Sequence, residues 1–67
     1  MKLIDRLKPE YSDKLEMYNI TYPTLIGNIY DELIEKEFIG DIRYSTWLDL
    51  KFFTGVDSLF DLFNEIK

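Results

Sequence analysis

A single small domain, mainly α-helical and built as a bundle of three to five short helices, is predicted for residues 1–67 by three features of the chain. Apolar side chains recur at the i, i+3/i+4, i+7 spacing of a helix face through most of its length. The two prolines and three glycines fall where such segments would begin or end. Strand-like alternation is confined to a few residues, so the β element the pattern allows is a minor pairing of residues 20–22 with 42–44. No internal repeat, low-complexity tract or linker-like run divides the chain.

Leu3, Ile4 and Leu7 fit one short helical turn. Pro9 then disfavours a helical Lys8 and suits the first position of a new helix, which Tyr11, Leu15 and Tyr18 give an apolar face. Ile4 and Leu7 share that face if residues 2–18 form one kinked helix. Asn19, tolerant of the left-handed cap conformation, is the expected stop. After "NITYPT", Pro23 opens a central helix to about Phe38, with Gly40 as its terminator. Leu25, Ile26, Ile29, Tyr30, Leu33, Ile34 and Phe38 span roughly 220° of its wheel. Asn28, Asp31, Glu32 and Glu35 occupy the opposite arc as an acidic strip, while Glu37 falls within the apolar arc.

"DIRYS" reads as a connector. Thr46 and Asp49 have the T-x-x-D spacing of a capping box and start a helix through about Phe53, closed by Gly55. Trp47, Leu50 and Phe53 take one side of that helix and Leu48 and Phe52 the other. A helix apolar nearly all round is either buried or sandwiched between two surfaces. Asp57 or Ser58 caps a last helix in which Leu59, Leu62, Phe63 and Ile66 share a face, with Asp61, Asn64 and Glu65 opposite and Phe60 on the flank. The pattern puts Phe52 and Phe63 in the core and leaves Phe53 and Phe60 as candidates for exposure.

Composition excludes much chemistry. The chain has no cysteine and no histidine, which removes Cys/His zinc sites, thiol chemistry, a Ser-His-Asp triad and histidine acid–base steps. Gly27, Gly40 and Gly55 are isolated and form no phosphate loop. The hydroxyls of Ser12, Ser45 and Ser58 fit turns and caps. No catalytic residue, metal or cofactor is therefore expected. No run approaches the ~20 apolar residues of a membrane span, and "MKLIDRLKPE" lacks the apolar stretch of a signal peptide, so a soluble, cytoplasmic protein is expected. A chain this short buries only roughly 60% of its unfolded surface, so its core supplies no more than about 3–5 kcal/mol.

What remains is binding. The net charge is −5, and the excess is local: residues 1–27 carry four acids and four bases, residues 28–67 nine acids and four bases. Such a surface repels phosphate backbones and favours a basic partner. Asp31 and Glu35 are helix neighbours, and a row of carboxylates can contact a basic protein or imitate a row of phosphates. The eleven aromatics, 16% of the chain, are more than so small a core readily encloses. The expected partner-binding residues are Asp31, Glu32 and Glu35 for charge and Trp47, Phe53 and Phe60 as anchors. The function read from these features is an acidic module that binds and modulates or inhibits another protein, the expected partner being a basic protein that handles nucleic acid. In size, charge and aromatic load the chain is similar to antitoxins, immunity proteins and phage-encoded inhibitors. A homo-oligomeric structural subunit is the alternative. A helix-turn-helix regulator fits less well, because "TWLDLKFF" offers one lysine and no Asn, Gln or Arg to read bases.

Overall fold

Proline opens two of the three α-helices and glycine closes the third in the computed structural model, which describes residues 1–64. Pro9 and Pro23 take the first turns of α1 (Pro9–Asn19) and α2 (Pro23–Glu35). There the fixed φ suits the helix and the missing N–H costs no hydrogen bond. Gly55 closes α3 (Tyr44–Thr54) at φ 75°, its N–H donating to the Lys51 carbonyl at 2.8 Å. A side chain in that left-handed conformation would be strained, so glycine is the residue that fits. Short 3₁₀ turns at Leu3–Arg6, Ile39–Asp41 and Leu59–Asp61 flank and link the helices.

The three α-helices pack pairwise, and the first 3₁₀ turn packs against α2. Leu15 of α1, Ile26, Ile29 and Leu33 of α2, and Leu50 and Phe53 of α3 meet at the centre. Leu3 and Leu7 from the N-terminal segment close the core from one end of the chain, and Val56, Leu62 and Phe63 close it from the other. The fold is thus mainly α, with three helices, as the periodicity predicts.

Several boundaries differ from that prediction. Residues 2–18 are not one kinked helix: Leu7 and Lys8 are extended, with ψ of 129° and 138°. Pro9 imposes this on Lys8, and the opened backbone is used, since the Lys8 N–H donates to the Leu62 carbonyl at 2.9 Å and the Asn64 N–H to the Arg6 carbonyl at 2.7 Å. The result is an isolated antiparallel bridge between Leu7 and Phe63. The expected pairing of residues 20–22 with 42–44 is not formed. Thr21 and Tyr22 donate their N–H groups to the Tyr18 carbonyl instead, the Ile42 N–H goes to Ile39, and Tyr44 already belongs to α3.

Asn19 stays helical rather than left-handed, and Gly55 is the single positive-φ residue among those described. Helix α2 stops at Glu35, short of Phe38 and Gly40: Lys36 is extended, and its carbonyl accepts the Leu3 N–H at 2.9 Å. Glu37, outside the helix, lies 3.4 Å from the N-terminal ammonium and 3.8 Å from Lys2 Nζ. The segment after Gly55 forms one 3₁₀ turn, not a full helix, and Ser58 caps it by accepting the Phe60 N–H at 3.3 Å. The predicted helix positions Glu65 and Ile66 lie outside the described residues.

Candidate functional site

The acidic strip of α2 divides in two. Asp31 and Glu35 face solvent, whereas Glu32 is buried, at 5% exposure. Its Oε1 accepts the backbone N–H of Arg43 at 2.7 Å. Its Oε2 accepts Arg43 Nε at 2.9 Å and Thr46 Oγ1 at 3.0 Å. Burial by itself pushes the Glu32 pKa up, but the bonds from the Arg43 backbone, the guanidinium and Thr46 outweigh it and hold the carboxyl below its ordinary value. Glu32 is therefore withdrawn from the surface expected to meet a partner. It acts as a clasp from α2 to the first turn of α3, where the helix dipole favours a negative charge.

This also corrects the start of α3. The helix begins at Tyr44, and Thr46, predicted as its cap, is buried with its hydroxyl committed to Glu32. Beside the clasp, Asp31, Glu32, Glu35, Lys36 and Arg43 line an open cleft of about 230 Å³. Its walls carry both signs of charge, and Lys36 Nζ reaches Glu35 at 3.2 Å. Among the described residues no group of three or more Asp or Glu side chains is placed to hold a metal ion.

Helix α3 is apolar on two faces, and the core takes only one of them. Thr46, Leu50, Phe53 and Thr54 are buried. The two threonines are masked as polar residues, since Thr46 bonds Glu32 and Thr54 Oγ1 donates to the Leu50 carbonyl at 2.6 Å. On the far side, Tyr44, Leu48 and Phe52 follow one another at i, i+4 and i+8 and are 73%, 46% and 76% exposed. They form an apolar stripe about 12 Å long on one helix face.

The predicted anchors are redistributed accordingly. Phe53, expected at the surface, is buried with its ring centroid 5.1 Å from Tyr18 and 5.5 Å from Tyr22. Phe52, expected in the core, is outside and meets the edge of Phe53 at 5.1 Å. Through these rings the exposed stripe runs on to the α1–α2 junction. Trp47 is half-buried against the core, with Lys51 Nζ 5.9 Å from its ring centroid. Phe60 stands 74% exposed on the last 3₁₀ turn. Phe63 is in the core, as expected. Sequence reasoning missed Tyr44 as a member of this surface, although the i, i+4, i+8 spacing of Tyr44, Leu48 and Phe52 was the signal that marks it.

Charge is arranged unequally as well. Lys2, Lys14, Lys36, Arg43 and Lys51 are each engaged, with Glu37, the Thr54 carbonyl, Glu35, Glu32 and the Trp47 ring respectively. Asp5, Glu10, Asp13, Asp31, Asp41, Asp57 and Asp61 all project into solvent. Among the described residues no helix is long and apolar enough to cross a membrane. Comparison with models of protein families, with curated proteins and with solved structures gave no match.

Proposed function

We propose that this chain is a protein-binding module that modulates or inhibits a basic partner, with the outer face of α3 as its docking surface. The observation that carries this reading is the exposed stripe Tyr44–Leu48–Phe52 on a helix whose opposite face already fills the core. An apolar helix face left open in so small a protein marks an interaction site. Aromatic side chains of this kind serve as rigid anchors in interfaces. The net charge of −5 adds an acidic field that speeds encounter with a positive surface. Asp31 and Glu35 contribute to that field as the solvent-facing part of the α2 strip, while Glu32 holds the platform in place.

The test is recovery of partners on the immobilised protein from a lysate of its source organism, at low and then high salt, for the native chain and for Leu48→Asp. A basic protein held in stoichiometric amount by the native chain, released by salt and not held by Leu48→Asp, is the expected result. Equal retention by the variant, or a native chain that recovers nothing but copies of itself, overturns the reading.

A further inference from the structure

We draw no further inference here: the strongest candidate, the exposed apolar stripe of Tyr44, Leu48 and Phe52 on the outer face of α3, has exposed Arg43 and Lys51 beside it as well as Asp49, and nothing in the structure shows what covers it.

Discussion

Replacing Glu32 by Gln tests whether the clasp between α2 and α3 holds the fold. The glutamine keeps the shape and can still accept the Arg43 backbone N–H, which Glu32 Oε1 holds at 2.7 Å. Its amide group, however, faces Arg43 Nε, another donor, where the carboxylate accepted at 2.9 Å. Thr46 can rotate its hydroxyl to accept rather than donate. One charge-assisted bond is lost and the other two become neutral, at about 1.5–3 kcal/mol for the first and a fraction of that for each of the others. Two effects offset this: a neutral amide is cheaper to bury, and the Arg43 side chain, 72% exposed, returns to water. The net cost is about 2 kcal/mol, near half of the roughly 3–5 kcal/mol a core of this size supplies.

Urea unfolding followed by far-ultraviolet circular dichroism measures the loss, and its pH dependence identifies the source. Because the folded-state pKa of Glu32 lies below its unfolded value, the contribution is present in full above that unfolded value. It is lost as pH falls through the folded one. The gap between native chain and Glu32→Gln is therefore wide at neutral pH and closes as the pH drops below 4.5, the ordinary value for this carboxyl. A variant within about 0.5 kcal/mol of the native chain at neutral pH, or a gap that persists into acid, refutes the assignment of Glu32 as the clasp.

Three further outcomes are expected. The Tyr30 hydroxyl donates to Glu16 Oε1 at 2.9 Å, and burial, that bond and the Glu16 charge push its pKa up to about 12. Ultraviolet titration of the phenolate in Glu16→Gln should show it ionising at lower pH than in the native chain. The stability tied to this group is present below the unfolded value of 10.0 and fades as pH rises through about 12. Gly55→Ala forces a Cβ into φ 75° and should cost about 1–2 kcal/mol by thermal melting, though nothing stands within 4 Å of the new carbon. A smaller cost in Gly55→Asn than in Gly55→Ala is the check that conformation is responsible, because Asn tolerates the left-handed region.

The helices and their punctuation were legible because their causes are local. Proline at a first turn and glycine at a left-handed cap act through their own backbone, and Pro9, Pro23 and Gly55 stand where that chemistry requires. Which face of α3 turns inward was not legible from periodicity. Leu50 and Phe53 on one side and Leu48 and Phe52 on the other make equally apolar faces, so the pattern carries no sign. Thr46 and Thr54 break the tie in the fold by burying hydroxyls that Glu32 and the Leu50 carbonyl satisfy, and Glu32, on another helix, is invisible from the sequence of α3 itself. Glu32 was misread for a related reason. On the α2 wheel it lies only about 20° from Leu25, at the edge of the apolar arc, yet its charge alone sent it to the solvent side. A carboxylate at the rim of an apolar arc can be buried once a neighbouring helix supplies donors, and those donors belong to residues 11 and 14 positions away. The end of α2, where Lys36 meets Leu3, and the Leu7–Phe63 bridge likewise depend on contacts far apart in sequence.

On the proposed function, stability and recognition sit on opposite faces of one helix, and single substitutions should separate them. Leu50 is fully buried, and Leu50→Ala leaves a cavity worth about 2–5 kcal/mol, comparable to the whole stability of so small a domain. Leu48 is two residues away but points outward, so Leu48→Asp should leave the melting temperature nearly unchanged while it abolishes docking. The proposed partner would link the two faces. A ligand bound only to the folded chain stabilises it by about 2.7 kcal/mol at a hundredfold excess over its dissociation constant. That is comparable to the estimated loss in Glu32→Gln. On that proposal the clasp and the partner act on the same equilibrium, since one fixes the first turn of α3 from within and the other would cover its outer face. Melting of Glu32→Gln with and without the partner distinguishes this from a stripe that is merely exposed. Recovery of native-like melting by the bound variant is expected, and a partner that binds Glu32→Gln yet leaves its melting unchanged would mean that the docked surface is not part of the folded α3.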